Sequence, residues 1–296
     1  MNEPGWDLYR SLLFVLETGS LSAAARELGL TQPTIGRHVE TLENLLGQQL
    51  FTRSPQGLLP TEAALALRPF AEVMAATSAA LLRAATESGD RIGGTVRISA
   101  SEVVGVEILP SILAGLHERY PDLVIELSTT DTIEDILHRQ ADVAVRMAPP
   151  SQDALVARRI GSIPLGLHAH RRYVARHGMP DSMEALAHHS FVGFDRHTAY
   201  VRAMAARYPI LSSLRYVFRA DSNLAQLAAI RAGLGIGMCQ IGLVRDNPDI
   251  VRLMPDFQLP LETWVAMHED LKSSRRCRVV FDALVEGLLA YSADPA

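Results

Sequence analysis

Residues 21–47 contain two short helical patterns joined by a tight turn, and this arrangement most constrains what the chain can fold into. The first pattern, LSAAAREL, follows the favourable N-cap residue Ser20 and repeats apolar residues at the spacing of one helical face. Gly29 supplies the turn. The second pattern, QPTIGRHVETLENLL, follows the cap residue Thr31 and accepts Pro33 in its first turn, where an amide needs no partner. The spacing predicts a helix-turn-helix.

The second helical pattern has one apolar and one polar side. Its apolar residues are expected to face inward, which leaves short polar and basic groups on the opposite side. Such groups hydrogen-bond to base edges and phosphates when a helix enters the major groove of DNA. A compact basic loop after the helix adds one arginine. The predicted DNA contacts are Ser22, Thr31, Gln32, Pro33, Thr34, Arg37, His38 and Arg53.

Residues 61–88 form a helix-favouring run that is longer than an ordinary helix. Its apolar residues recur at spacings of three, four and five, which makes a stripe that one chain does not easily cover. The stripe predicts pairing with a second copy, and the alternative is packing against the rest of the same chain. Because Pro69 lies deep in the run, a kink between Leu65 and Pro69 is expected. The predicted pairing residues are Leu65, Phe70, Val73, Met74, Thr77 and Leu81.

A glycine-rich segment, ESGDRIGG at residues 87–94, separates this helix from a region with a different rhythm. The apolar runs TVRISAS, LVIELSTT, ADVAVRMA and IPLGLHAH predict strands, and VEILPSILAGLHERY and IEDILHRQ between them have helical spacing. A second set follows, with FVGF, LRYVFRA and GLGIGMCQ as strands and SNLAQLAAIRAG as a helix. This alternation predicts an α/β domain of two lobes that enclose a cleft.

Small ligands of open α/β sheets bind beyond the carboxyl ends of strands, and polar residues stand at these positions here. Arg146 is the natural counter-charge for a carboxylate. Glu102 leaves two interpretations open, because this acid can pair with Arg146 or can select an amine or amino acid. Arg146 can also bridge structural carboxylates, and the Ser and Thr residues can simply cap helices. The predicted effector contacts are Ser99, Ser101, Glu102, Thr129, Thr130, Arg146, Met147, Phe194, Asp195, Ser222 and Gln240, with Asp221 and Cys239 beside them.

Charge and composition narrow the function further. The whole chain has a formal charge of −5, and residues 1–65 carry four arginines against seven acids, a balance of −3. A protein that coats DNA without specificity would need a basic surface, so binding must depend on a local arrangement of donors. No apolar run reaches the ~20 residues that cross a bilayer, and MNEPGW has no signal-peptide pattern, so the cytoplasm is the expected location.

Other motifs of catalysis or cofactor binding are missing or badly spaced. Cys239 and Cys277 form neither a disulfide framework nor a metal-ligand pair. The histidines at 168, 170, 188 and 189 have no cysteine or acid at ligand spacing, so no metal is expected. The glycines of GLGIG follow a helix and precede a strand, the reverse of a phosphate-binding loop. No G-x-S-x-G elbow occurs, and we expect no enzyme activity and no cofactor.

Taken together, the sequence resembles the LysR-type transcriptional regulators across nearly its whole length. The resemblance rests on WDLYRSLLFVLETGSLSAAARELGLTQPTIGRHVETLENLLGQQLFTR, on LLPTEAALAL and on the two-lobed remainder. It implies a winged helix-turn-helix, a dimerisation helix and a periplasmic-binding-protein-like sensor, with the last strand and helix returning to the first lobe. The chain departs from the family at Gly36, where many relatives carry a serine able to touch phosphate. The implied divisions are 1–60, 61–88, 89–94 and 95–296, with lobe I at about 95–162 and 265–296 and lobe II at about 163–264.

The resemblance also implies a function and partners. It indicates a transcription regulator that acts as a dimer or tetramer on double-stranded DNA with an imperfect inverted repeat. A small-molecule effector, a carboxylate or an amino acid, is expected to bind in the cleft. The alternative is an enzyme or a solute-binding protein built on the same two-lobed scaffold.

Overall fold

The computed structural model describes residues 3–54, 57–85, 91–130, 141–150, 155–196, 199–245 and 247–293. They form two compact units, of which the first lies within Met1–Ser88 and the second begins at Gly89. Each unit has its own hydrophobic core. Among the described residues, no helix is both long enough and apolar enough to cross a membrane.

The N-terminal unit is a helix-turn-helix followed by a two-stranded antiparallel wing and a long helix. Both predicted caps form, because the Ser20 hydroxyl accepts from the Ala23 amide at 3.0 Å and the Thr31 hydroxyl accepts from the Thr34 amide at 3.3 Å. Gly29 ends the first of the two helices in the left-handed region at φ +65°, as the turn requires. The elements are α1 Trp6–Thr18, α2 Leu21–Leu28, α3 Gln32–Leu46, β1 Phe51–Ser54, β2 Gly57–Pro60 and α4 Glu62–Ala85.

The core of this unit joins the three short helices to the wing. Leu12, Ile35, Leu42 and Leu50 have no exposed surface. A carboxylate then fixes the wing to α3, because Glu43 Oε1 accepts from the amides of Leu50 at 2.6 Å and Phe51 at 3.2 Å. The wing therefore starts from a defined position relative to α3.

Helix α4 is continuous from Glu62 to Ala85 and runs through Pro69. The kink expected between Leu65 and Pro69 stays a prediction. One side of α4 packs on the N-terminal unit through the buried residues Ala64 and Ala71. Several large apolar residues of α4 are exposed in the single chain, namely Leu65, Phe70, Met74, Leu81 and Leu82.

The C-terminal unit is built on one sheet of seven strands among the described residues, in the order β10-β6-β11-β5-β3-β4, with β9 also on β6. Strands β3, β4 and β5 are parallel, whereas β6 pairs antiparallel with β9, β10 and β11. Strands β7 and β8 form a separate parallel pair. The strands are β3 Gly94–Ala100, β4 Leu123–Thr129, β5 Val143–Arg146, β6 Leu155–His170, β7 Ser190–Gly193, β8 Arg215–Arg219, β9 Gly237–Gln240, β10 Ile250–Leu253 and β11 Leu259–His268.

Strands β6 and β11 connect the two lobes. Strand β6 has 16 residues, and β11 pairs with it over ten positions with a bulge between Thr263 and Trp264. At one end β11 also pairs with β5, and near the other β6 pairs with β9 and β10. The predicted strand at residues 163–170 is therefore only the second half of β6. Its first half escaped the pattern because the exposed Arg158 and Arg159 interrupt the apolar run.

The helices of this unit lie around the sheet, and their core contains α5 and α9 packed on β3 and β5. A π-helical turn at Val104–Ile108 leads into α5. The predicted helices at 106–120 and 222–233 are confirmed with small shifts of their ends, whereas the one at 133–140 lies outside the described residues. Sequence reasoning missed α6, α7 and β10. The helices are α5 Leu109–Arg119, α6 Arg171–His177, α7 Ala199–Arg207, α8 Asn223–Arg231 and α9 Arg275–Ala293.

Candidate functional site

The outer side of α3 presents most of the residues predicted to contact DNA. Gln32, Pro33 and Arg37 are exposed, and so is Thr31 at the cap. Thr34 is half-buried, and its hydroxyl lies 2.8 Å from that of Thr31. The cap and the first two turns of α3 therefore combine helix N-terminal amides, two hydroxyls and an exposed guanidinium. Ser22 on α2 and Arg53 on β1 are exposed as well.

His38 does not lie with this set. Its ring is half-buried, and Nδ1 lies 2.7 Å from the hydroxyl of the buried Ser11 on α1. Position 38 stands three residues after Ile35 and directly before Val39, so it flanks the buried stripe of α3. This contact holds His38 at the border of the buried stripe, and its role in DNA binding stays a prediction.

Gly36 has room for a side chain. A Cβ built at this position would meet only Leu21 Cδ1, at 3.8 Å, which is an ordinary contact. Packing inside the unit therefore does not require glycine here. Since a mid-helix glycine costs about 1 kcal/mol relative to alanine, α3 forgoes some stability at this point.

In the C-terminal unit, Ser99 on β3 and Arg146 at the end of β5 meet on neighbouring strands. Arg146 is 6% exposed and Ser99 is 1% exposed. The guanidinium donates to the Ser99 hydroxyl at 2.7 Å through Nη2 and to the Val145 carbonyl at 3.0 Å through Nη1. The sequence placed both residues at carboxyl ends of strands, and the parallel pairing brings them together.

Glu102 reaches from the end of β3 to the start of α8 in the other lobe. Its Oε2 accepts from the Ser222 hydroxyl at 3.1 Å and from the Asn223 amide at 2.9 Å. Ser222 also caps α8, because its hydroxyl accepts from the Ala225 amide at 3.3 Å. The structure thus joins two predicted effector residues to each other, a pairing that the sequence did not suggest.

A second contact between the lobes involves Glu107 and Arg231, which sequence reasoning missed. The guanidinium donates to both carboxylate oxygens, at 2.8 and 2.7 Å. This hydrogen-bonded pair lowers the pKa of the Glu107 carboxyl. A folded-state pKa below the ordinary value stabilises the fold at neutral pH, and that contribution is lost as pH falls through the lowered pKa.

The other predicted effector residues are more scattered. Gln240 is buried, and its Oε1 accepts from the Tyr291 hydroxyl of α9 at 2.9 Å. Met147 Sδ accepts from the Thr263 hydroxyl at 3.6 Å, and the Thr130 amide donates to the Ala100 carbonyl at 2.8 Å. The half-buried members of the set are Ser101, Thr130 and Phe194, and the exposed ones are Thr129 and Asp195. Asp221 pairs with Arg196 at 3.2 Å.

Three of the histidines considered as metal ligands, His168, His170 and His189, contact other groups of the same chain. His168 is buried with Nδ1 2.9 Å from the Gly166 carbonyl, and its burial lowers its pKa to about 4. His170 caps α6 by accepting from the Arg172 amide at 3.1 Å, and His189 lies 3.3 Å from the Tyr173 hydroxyl. No group of three or more His, Cys, Asp or Glu side chains among the described residues is arranged to hold a metal ion.

Cys239 is expected to react slowly with alkylating reagents in the native protein. Its sulfur lies 3.3 Å from His168 Nδ1, and burial raises the pKa of its thiol to about 12. At pH 8 the reactive thiolate is then about a thousandfold rarer than in an unperturbed thiol. Iodoacetamide labelling followed by peptide mass spectrometry checks this, with the same protein in urea as the control. Native labelling of Cys239 as fast as in urea would contradict it.

Comparison with known proteins agrees with the two-unit architecture. Residues 6–65 match the bacterial regulatory helix-turn-helix model of the lysR family, and residues 89–289 match the LysR substrate binding domain. The chain belongs to the LysR family. It is a DNA-binding transcriptional regulator with an effector-binding domain and not an enzyme, which makes the enzyme alternative wrong.

Individual relatives cover nearly the whole chain. A probable regulator of Klebsiella pneumoniae, LtrA, is 26% identical over a gapped alignment of 301 positions that covers 95% of each protein. CrgA of Neisseria meningitidis serogroup C is 28% identical over a gapped alignment of 286 positions that covers 93% of this chain and 94% of the relative. A crystal structure of full-length CbnR complexed with its target DNA matches with a TM-score of 0.65 at 19% identity, covering 97% of this chain and 99% of that one. The last match shows the shared fold.

Proposed function

We propose that this LysR-family regulator reads an imperfect inverted repeat with two copies of α3. The observation that carries the proposal is the N-terminal half of α3, where Gln32 and Arg37 are exposed and Thr34 is half-buried, while Ile35 and Leu42 bury the other side of the helix. A two-fold protein axis imposes two half-sites about one helical turn apart. The similar protein CbnR, which crystallised in complex with its target DNA, supports contact with a defined DNA sequence. A regulator of this kind acts in the cytoplasm.

The second copy is supported by the apolar side of α4. Phe70 is 69% exposed and Leu81 is 65% exposed in the single chain, and exposed apolar patches on a helix are typical of sites that a partner covers. Leu65 and Met74 extend the same exposed set, and Val73 and Thr77 at its border are half-buried. We therefore assign residues 1–60 to DNA reading, 61–88 to pairing, 89–94 to the hinge and 95–296 to effector sensing, in a dimer that can assemble further into a tetramer.

DNA binding is expected to be specific but only moderately dependent on salt. Because residues 1–65 carry a charge of −3, attraction to phosphates comes from a few groups such as Arg37 and Arg53 rather than from a broad positive field. Footprinting upstream of the protein's own gene tests the proposal. Titration of salt on the same fragment gives the dependence of the binding affinity on salt concentration. Random DNA of equal length is the control, and strong retention on it with a steep slope would contradict this expectation.

The effector is proposed to be a carboxylate or an amino acid held near Arg146. Ser99 and Arg146 form a buried, oriented pair at the ends of β3 and β5, and Gln240 and Ser222 come from the other lobe. Guanidinium groups bind carboxylates in a two-point geometry, which supports this ligand class.

A thermal-shift screen of small acids, amino acids and aromatic compounds is expected to find a ligand that stabilises the wild type and loses its effect in Arg146→Ala. The stabilisation follows RT ln(1 + [L]/Kd), so a ligand at about 100 times its Kd contributes about 2.7 kcal/mol. Arg158→Ala, at an exposed arginine of β6, is the matched control. Equal shifts in all three proteins would place the ligand elsewhere.

A further inference from the structure

Helix α8 of lobe II is bound at both of its ends by acids from one short segment of lobe I. Glu102 binds its first residue and Glu107 binds its last, and these two acids are five positions apart in the chain. Their partners on α8 lie 121 and 124 positions away. Two contacts of this separation define how the lobes meet, because both ends of one rigid helix are held.

The contact at the start of α8 joins a carboxylate to unsatisfied helix donors. The first amides of a helix have no partner within it and carry partial positive charge. Glu102 takes the Asn223 amide at 2.9 Å and the Ser222 hydroxyl at 3.1 Å. A lobe I side chain thus occupies the position where an anion from solution would otherwise bind.

The contact at the end of α8 is an ion pair with two parallel hydrogen bonds. Arg231 and Glu107 approach to 2.7 and 2.8 Å, and their side chains are 37% and 22% exposed. This geometry fixes direction as well as distance, because both carboxylate oxygens must face the planar guanidinium. Partial burial limits screening by salt.

The backbone between the two acids is held in an unusual turn. Residues Val104–Ile108 form a π-helical turn, a geometry that occurs as single turns and is frequent at functional sites. Gly105 lies so close to β4 that a Cβ there would come within 2.8 Å of Thr129 Cγ2. The segment is therefore pressed against the lobe I sheet, which fixes where both acids start.

We propose that Glu102, Glu107, Ser222, Asn223 and Arg231 form an interlobe clasp that holds the lobes together without effector. Rotation of α8 away from lobe I breaks both contacts at once, so the clasp sets the resting balance between closed and open lobes. An effector that brings an anion to the start of α8 must displace Glu102. This last consequence rests on the proposed function, whereas the clasp itself rests on the contacts alone.

Hydrogen–deuterium exchange of the full-length protein, without added ligand, tests the clasp. In Glu107→Gln the amides of α8 in the opposite lobe are expected to exchange at least about tenfold faster, since a charged hydrogen-bonded pair is lost. Glu102→Gln should act most on the first turn of α8. Glu118→Gln, at an exposed glutamate of α5, removes the same charge and should leave α8 unchanged. The double variant Glu107→Arg/Arg231→Glu should restore the protection.

Two outcomes would overturn the proposal. One is unchanged exchange of α8 in both Glu102→Gln and Glu107→Gln, and the other is an equal change in Glu118→Gln. A purely local role of Glu107 would raise exchange only around its own turn and not across the lobe boundary. Operator binding by the wild type is measured in parallel. If the exchange results contradict the clasp but the wild type binds its operator, only the clasp is wrong. If the wild type does not bind an operator, the proposed function is wrong.

Discussion

Arg37→Ala is expected to abolish most of the affinity for the operator without changing the stability of the protein. Arg37 is exposed on the outer side of α3, so its removal leaves the core intact. One bidentate contact to a base contributes about 1–3 kcal/mol, and two copies on a two-fold site double the loss to roughly 2–6 kcal/mol. Fluorescence anisotropy on the footprinted fragment measures the loss, and a thermal melt checks the fold.

Two variants sharpen this experiment. Arg37→Lys keeps the charge but loses the two-point geometry, so it should retain binding to random DNA while losing discrimination. Arg10→Ala removes another exposed arginine, from α1, and should have little effect. If Arg37→Ala binds as the wild type does, or if Arg10→Ala is the weaker binder, α3 is not the helix that reads DNA.

Leu42→Ala is expected to destabilise the N-terminal unit by about 2–5 kcal/mol, the usual cost of this change in a packed core. Leu42 has no exposed surface and belongs to the same core as Leu12 and Ile35. Because the C-terminal unit has a separate core, its own unfolding midpoint should stay where it is. A regulator with this change would keep a folded sensor and lose DNA binding.

The two tryptophans of the chain report the two units separately. Trp6 lies in α1 and Trp264 lies in β11, so the Trp264→Phe and Trp6→Phe backgrounds each leave one signal. In urea titrations, Leu42→Ala should lower the midpoint of the Trp6 signal alone. Leu59→Ala, at a half-exposed leucine of the wing, is the control and should shift the midpoint little. Parallel shifts of both signals in Leu42→Ala would mean that the units unfold together.

Local signals explain why so much of the N-terminal unit could be predicted from the sequence. The contacts that begin and end the helices join residues at most four positions apart, as at Ser20, Gly29 and Thr31. The spacing of apolar residues in α3 indicates which side of the helix is buried. In the sensor, the strands β3 and β5 were readable for a similar reason, because strands that are buried along most of their length become apolar runs. Their order then places Ser99 beside Arg146.

Contacts between distant residues could not be predicted in this way. Glu107 and Arg231 are ordinary charged residues on helix surfaces, and only the fold brings them together. The sequence around Glu102 and Glu107 does not distinguish an acid that contacts the other lobe from one that is exposed to solvent. His38 shows the same limit on a smaller scale, since its contact with Ser11 depends on how α1 crosses α3.

The return of α9 to the sheet beside β3 and β5 has a consequence for how the protein is made. Its buried residues Val280 and Leu284 complete the core that β3 and α5 begin. A ribosome adding about 5–20 residues per second needs on the order of ten seconds between β5 and α9. During that time the helix-turn-helix can already fold, while the half-built sheet leaves its apolar face open. Nascent chains of this regulator are therefore expected to need chaperones for the C-terminal unit and not for the N-terminal helix-turn-helix unit.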